Sequence, residues 1–159
     1  GKATVGLAGD ALVWFGFGPR SAAEFRREWP GTVVAEKNGP RGFPEELRAL
    51  LLGESALPLK PVGTPFQLLT WQMLLAIPFG ATLGYGELAE QMGSARYTRA
   101  VARAIARNPV SWVIPCHRVI PETGGKGGYR WGRNRKNRLL HWEQETDNVA
   151  TTVSNLKLS

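Results

Sequence analysis

Cysteine is almost missing from this chain of 159 residues: Cys116 stands alone, and only two histidines, His117 and His141, accompany it. One thiol cannot form an intramolecular disulfide, and one Cys with two His does not assemble a Cys-based zinc site without unusual carboxylate help. A reducing compartment is the natural setting. Long apolar runs are missing as well. The longest, near Ala11 to Phe17 and Leu68 to Ile77, reach about seven residues before a polar or turn residue breaks them, far short of the roughly 18 that span a bilayer. The first twenty residues place Asp10 inside their apolar run and lack a basic start ahead of a clean hydrophobic core, which argues against a secretory signal. The chain opens on Gly1 rather than Met, as expected of a piece processed or trimmed from something longer.

Acidic residues are missing from one stretch in particular. Between Arg96 and Arg138 eleven basic residues face a single acid, Glu122, so that segment alone carries +10 of a whole-chain formal charge of +7. Residues 1–60 are nearly balanced, with eight basic and seven acidic groups. Such asymmetry points to a polyanionic partner, nucleic acid before an acidic membrane surface, with a merely solvated basic face as the bland alternative. What is present otherwise, 43% hydrophobic and 21% charged residues, suits one compact unit or two small subdomains and excludes a long disordered tail or a fibre.

The expected organisation is α/β (α+β), in two parts. Residues 1–60 read as a small sheet-and-helix subdomain with a short linker. Ala3 to Leu7 and Ala11 to Phe17 form a hairpin about Ala8-Gly9-Asp10. Ser21 and Glu24 stand at capping-box spacing for a helix to about Trp29, Thr32 to Ala35 is a third strand, and Pro44 to Leu52 a second helix. Residues 54–63 read as an extended linker. Residues 61–145 read as mainly helical. Thr64-Pro65-Phe66-Gln67 is a capping box opening a helix to about Ile77, Tyr85 to Met92 is closed by Gly93, and a helix from about Arg96 to Arg107 follows Ser94. The last pair resembles a helix-turn-helix. Arg96, Arg99, Arg103 and Arg107, spaced by three, four and four, share one face, and Val101, Ala104 and Ile105 supply the apolar one, as suits a helix lying on phosphates. A last helix runs from about Asn134 to Gln144, and residues 146–159 read as a polar, flexible tail.

The chemistry concentrates where the apolar run Val110 to Ile114 leads into Pro115-Cys116-His117-Arg118. A lone Cys in apolar surroundings is ordinarily an inert core residue. Here a base and a cation adjoin the sulfur, and both favour thiolate over a thiol of ordinary pKa about 8.5. Adjacent residues on extended backbone point to opposite faces, so a direct Cys116–His117 hydrogen bond requires a turn, or else a bridging water. The Gly124-Gly125-Lys126-Gly127-Gly128 stretch lacks the ending of a phosphate loop and reads as a flexible active-site loop. The tryptophans read mostly as core, with Trp131, in the candidate binding loop, open to another role.

Pro115-Cys116-His117-Arg118-Val119, with Asn108-Pro109 and Arg99-Ala100-Val101 ahead of it, resembles the signature of the O6-alkylguanine-DNA alkyltransferases, the methylated-DNA-protein-cysteine methyltransferases. The resemblance extends through Gly63-Thr64-Pro65-Phe66-Gln67, Trp71, Ile77-Pro78-Phe79-Gly80, Tyr85, Leu88-Ala89, Gly128-Tyr129-Arg130-Trp131-Gly132, Leu139-Leu140 and Glu143, about 80 residues in order. It implies that Cys116 takes the alkyl group from O6 of guanine (less readily O4 of thymine) once and irreversibly, in direct-reversal DNA repair. His117 would be the base acting through a water, Glu143 its orienter, Asn108 the brace of the turn, and Tyr85 the proton donor to the leaving guanine. Arg99 would fill the gap left by a flipped nucleotide, in a minor groove contacted also by Arg96, Ala100, Arg103 and Tyr85. Tyr85, Pro115, Val119, Tyr129 and Arg130 would hold the extruded base. No cofactor and no metal are implied. The partner is double-stranded DNA carrying O6-alkylguanine, not a membrane, bound by a monomer with scope for cooperativity; the setting is intracellular, cytoplasmic in a prokaryote and nuclear in a eukaryote.

Three positions depart from the pattern. Arg103 is large where relatives carry a small residue and suits a phosphate contact. Ser111 stands where the human-type branch often has Pro, and Arg130 where it has Ser. An alternative within the resemblance is a lesion sensor that binds without transfer, but such relatives replace the cysteine that this chain keeps.

Overall fold

The computed structural model describes residues 2–32, 49, 58–123 and 127–146. The fold is mixed α/β, and its organising element is β2 (Ala11–Phe17), whose seven residues are all buried except the half-buried Phe17. A strand covered on both faces reads as continuous hydrophobic sequence, as Ala-Leu-Val-Trp-Phe does. One edge of β2 pairs antiparallel with β1 (Ala3–Ala8), from Ala3 opposite Phe17 to Ala8 opposite Ala11, with an irregularity between Gly6 and Leu7. Its other edge is bonded by later parts of the chain. Leu12 N–H donates to Pro58 O at 2.8 Å and Lys60 N–H to Leu12 O at 3.0 Å; Phe15 N–H donates to Pro109 O at 2.9 Å and Ser111 N–H to Phe15 O at 3.0 Å. The stretch expected to be a mere linker therefore contains, at Leu59, a buried β-bridge partner of Leu12. The segment leading to the cysteine is hung from the same strand.

The hairpin is as expected, but the first helix starts differently. Ser21 is the first residue of α1 (Ser21–Glu28) rather than its cap, and no side chain caps this helix. The Ser21 hydroxyl is buried and donates to Gly18 O at 2.6 Å, beside Thr4 Oγ1, so it ties the incoming turn to β1. Glu24 is drawn elsewhere, as described below. The expected strand at residues 32–35, the helix at residues 44–52, the glycine-rich residues 124–126 and the tail from residue 147 fall outside the described residues, apart from Thr32, which is not in a strand, and Ala49, which is helical.

The C-terminal part opens with the anticipated capping box. In α2 (Pro65–Leu75) Gln67 N–H donates to Thr64 Oγ1 at 3.3 Å and Thr64 N–H to Gln67 Oε1 at 2.8 Å, with Pro65 in the first turn. Caps of this kind contribute about 0.5–2 kcal/mol. Trp71 is buried and donates its indole N–H to Ala104 O at 2.9 Å, which fastens α2 to α4 (Thr98–Ala106). Between them lie β3 (Leu83–Gly84) and α3 (Tyr85–Gln91), stopped at Gly93, whose φ of +117° favours glycine. The helix expected from Arg96 begins instead as a single 3-10 turn, Ala95–Tyr97, because Ser94 Oγ accepts from Arg96 N–H and Thr98 Oγ1 donates to Ala95 O. Val101, Ala104 and Ile105 face the core as anticipated, and Val101 and Ile105 join one cluster with Leu12 and Phe15 of β2. The pairing of β3 with β4 (Val119–Ile120) is parallel, and α5 (Arg133–Thr146) closes the fold.

Candidate functional site

Asn108 begins the site. Its side chain is buried where α4 ends, donates Nδ2–H to Ile114 O at 2.8 Å and accepts Val110 N–H at 3.0 Å. One amide thus closes the loop from residue 108 to residue 114. Inside it Ile114 N–H returns to Val110 O at 2.9 Å, and Trp112 sits at φ +76°, a left-handed conformation uncommon for a non-glycine residue. Strain of this kind persists where surrounding contacts over-determine it. The chain then enters a 3-10 turn, Cys116–Arg118, in which Cys116 N–H donates to Ile114 O at 2.8 Å and Arg118 N–H to Pro115 O at 3.0 Å. Cys116, His117 and Arg118 are all buried.

The turn separates three roles. His117 Nε2 lies 2.7 Å from Glu143 Oε1 on α5. An ionised carboxylate only accepts, so Nε2 carries the hydrogen and the lone pair resides on Nδ1, which is buried and has no hydrogen-bond partner among the described residues. Arg118 does not serve the sulfur, contrary to expectation. Its guanidinium grips Glu143 through Nε–H at 2.9 Å and an Nη2–H at 3.0 Å, donates a third hydrogen bond to Ile77 O at 2.6 Å, and lies over the Phe79 ring. Gly80 N–H adds a longer bond to Glu143. The cation that acts on Cys116 is Lys136 of α5, fully buried, with Nζ donating to Val119 O at 2.7 Å. Sequence reasoning passes over Lys136, although Lys136, Leu140 and Glu143 stand four and three apart, on one buried stripe of α5. A lysine on such a stripe is the signal that marks it.

Ionisation follows from these contacts. Burial pushes the Cys116 thiol up, and Asn108, Lys136 and neighbouring backbone N–H groups pull it only part of the way back. Burial thus outweighs the neighbours expected to favour the thiolate; the resting form is the thiol, and a base is required. Burial holds His117 below its ordinary value, ahead of the opposing pull of Glu143, so the imidazole is neutral near pH 7. Burial would raise Glu143, but hydrogen bonds from His117 and Arg118 and their charges win, and it is ionised. Tyr85 is raised by burial and by the Cys116 charge, and Tyr129 is pushed well up for the same reasons; both phenols keep their protons.

A cavity of about 730 Å³ opens onto this assembly, lined by Cys116, Tyr85, Asn108, Ser111, Tyr129 and Arg130 together with Ile105 and Arg107 of the α4 end. That volume is in the range of small-molecule sites. Pro115, Val119, His117 and Glu143 are buried and do not line the cavity. Arg96, Arg99 and Arg103 are exposed on the outer face of the 3-10 turn and α4, and Ala100 is half-buried; none of the four lines the cavity. The N-terminal part, whose sequence shows no reactive constellation, supplies Glu24, Arg27 and Glu28 of α1 to the wall. Arg130 Nε–H donates to Glu24 at 2.8 Å and an Nη2–H to Glu28 at 2.7 Å, with the guanidinium 4.9 Å from the Trp14 ring and 5.1 Å from that of Trp131. Trp131 is core, and its indole N–H donates to Ser111 Oγ at 2.6 Å.

The sequence and fold are similar to those of known proteins. Residues 65–145 match the family described as 6-O-methylguanine DNA methyltransferase, DNA binding domain. A methylated-DNA-protein-cysteine methyltransferase of Mycobacterium leprae is 50% identical over 103 residues, 65% of this chain and 61% of the relative, so the aligned chain spans under two thirds of that protein's length. The crystal structure of Mycobacterium tuberculosis O6-methylguanine methyltransferase superposes with a TM-score of 0.73 at 34% identity, covering 90% of this chain and 86% of that one. A crystal structure of the Mycobacterium tuberculosis protein in complex with DNA superposes with a TM-score of 0.70 at 33% identity, with the same coverage.

Proposed function

The chain belongs to the 6-O-methylguanine DNA methyltransferase family, and from that membership we propose that it repairs DNA by direct reversal, taking the alkyl group of O6-alkylguanine in duplex DNA onto Cys116 in a single turnover. The observation that carries this reading is the placement of the one cysteine on a cavity wall with Tyr85 and Tyr129, its chain neighbour His117 being buried and hydrogen-bonded to Glu143.

The step is a displacement at carbon, for which thiolate is the strongest nucleophile a side chain offers near neutral pH. The Sγ–C bond forms as the C–O6 bond breaks, and the guanine leaves with the electron pair. The thiol proton passes through a water to His117 Nδ1, the ring nitrogen with a lone pair to accept it. Glu143 stabilises the imidazolium that results. The departing guanine takes a proton from the Tyr85 hydroxyl, which burial keeps protonated.

The O6 atom lies on the edge of a stacked base, out of reach of a sulfur in a cavity wall, so the nucleotide must be extruded. In this reading α3 and α4 form the DNA-facing pair, Arg99 occupies the vacated space, and Arg96, Arg103 and Ala100 meet the backbone and groove. Asn108 braces the nucleophile's loop, and Tyr129 and Arg130 flank the base while Pro115 and Val119 support it from behind.

Intact-mass measurement after mixing with a duplex containing O6-methylguanine tests the reading. A gain of one methylene on Cys116, abolished in Cys116→Ser while DNA binding persists, supports it. Binding without any mass gain in the unaltered protein leaves only a lesion sensor.

A further inference from the structure

Tyr85 and Cys116 flank the two strands of one very short parallel pairing. Leu83 stands opposite Val119 and Gly84 opposite Ile120; Tyr85 follows β3 as the first residue of α3, and Cys116 stands three residues ahead of Val119, where β4 begins. The ladder is only two residues long, so few backbone bonds join the two segments. A second tie comes from the cysteine's own segment. Two residues past β4, Glu122 turns its carboxylate back so that Oε1 accepts Gly86 N–H in the first turn of α3. The approach is so close that a Cβ on Gly84 would stand 2.8 Å, and one on Gly86 2.7 Å, from that oxygen. Glycine at both positions is what lets the carboxylate in. Glu87 takes the Gly84 N–H at 2.6 Å, which joins α3 to the end of β3 but makes no bond to the segment that carries Cys116. Glu122 is exposed, and besides Gly86 its carboxylate meets its own backbone and that of Glu87, in the same first turn of α3.

We propose that Glu122 is a positioning residue for Tyr85: by bonding the first turn of α3 to the segment that carries Cys116, it holds the phenol where the leaving guanine needs its proton. The proposal rests on the alkyl-transfer reading above. Misplacement of a reacting group by about 1 Å can slow a reaction up to a hundredfold, so a strut between two reacting groups matters more than its exposure suggests.

A double-mutant comparison tests it. Single-turnover methyl transfer from an O6-methylguanine duplex is timed for the unaltered protein, Glu122→Ala, Tyr85→Phe and the two together. Glu122→Ala should slow transfer about tenfold in the presence of Tyr85 and by less than about twofold in the Tyr85→Phe background. Gly86→Ala, which pushes the carboxylate away while leaving it in the chain, should reproduce that pattern, and Glu122→Gln, which keeps an acceptor oxygen, should recover most of the rate. Equal slowing in both backgrounds, or none in either, overturns the proposal. An unaltered protein that gains no methylene instead refutes the function itself, so the two failures are distinct.

Discussion

The ammonium of Lys136 donates to the carbonyl of Val119 at 2.7 Å from a side chain with no exposed surface, and that bond sets a buried positive charge within the field of Cys116. Burial lowers the affinity of this lysine for its proton and the cysteine's charge raises it, so the two groups are mutually dependent. Lys136→Met keeps the length and removes the charge. The thiol should then ionise less readily, and iodoacetamide should label Cys116 on the order of tenfold more slowly at neutral pH, with the rate profile displaced toward alkaline pH. An unchanged profile would show that the ammonium is only a tether for Val119.

Glu143 serves two neighbours at once, and Glu143→Gln separates them. Arg118 Nε–H and Gly80 N–H both meet Oε2 and can only donate, so they will hold the amide oxygen there, which leaves the amide NH2 facing His117. The imidazole must then accept at Nε2 and carry its hydrogen on Nδ1, the tautomer that cannot take a proton from the cysteine. Alkyl transfer should fall on the order of 10³–10⁴-fold, as when the orienting carboxylate of a catalytic histidine becomes an amide. Folding should weaken by about 3–5 kcal/mol, since Arg118 keeps its buried charge without a counter-charge. Stopped-flow transfer rates and urea unfolding read the two effects separately.

Acid should destabilise the protein in two stages. His117 has a folded-state pKa below its ordinary value of about 6.5, so as pH falls through that value the unfolded chain binds a proton that the folded chain refuses, and stability drops. Glu143 is likewise lowered, so its contribution is present above the ordinary carboxylate range and lost as pH falls through and below it. Urea midpoints measured from pH 8 to pH 4 should therefore decline first near pH 6.5 and again below about pH 4.5. His117→Phe should remove the first decline; one that persists there would belong to another group.

Much of this site was legible because it is local. Cys116, His117 and Arg118 adjoin in the chain, Asn108 sits at the end of a periodic helix, and the Thr64–Gln67 cap is a four-residue pattern. What escaped depends on distant packing. By sequence Arg118 is a cation for the sulfur, since it lies two residues from it, yet a 3-10 turn sends it to Glu143, 25 positions on. The Ser21–Glu24 box fails because a buried hydroxyl finds Gly18 O, and because Arg130, 106 positions away, claims Glu24. Nothing in the spacing of residues 1–60 announces that their helix closes a cavity formed by residues 85–130.

Binding to DNA should report on the exposed arginines one at a time. Arg96, Arg99 and Arg103 are exposed on the turn and helix proposed to meet the duplex. If Arg96 and Arg103 each neutralise a phosphate, replacing either by Ala should weaken binding to undamaged and damaged duplex alike and reduce the slope of log K against log salt by about one. Arg99→Ala should differ. If its side chain fills the space of an extruded nucleotide, the deficit should fall mainly on transfer from duplex and much less on reaction with free O6-benzylguanine, which needs no extrusion. Fluorescence anisotropy at several salt concentrations, paired with transfer rates on both substrates, distinguishes the two classes.

The Arg130 latch joins the two parts of the chain at the cavity wall, and its strength can be bounded. Its ion pairs to Glu24 and Glu28 are each 2.7 Å long, but the side chains concerned are 18% to 29% exposed, so each is worth at most about 1 kcal/mol and is screened by salt. The stacking of the guanidinium on Trp14 and Trp131 adds about 0.5–1 kcal/mol per ring and is far less salt-sensitive. Replacing both acids, Glu24→Gln with Glu28→Gln, should therefore lower the melting temperature by only a few degrees. Most of that difference should vanish in high salt. Arg130→Ala removes the ring stacking as well, so its deficit should be larger and should persist in high salt. Should the two variants respond to salt alike, the aromatic faces contribute nothing and the latch is ionic alone.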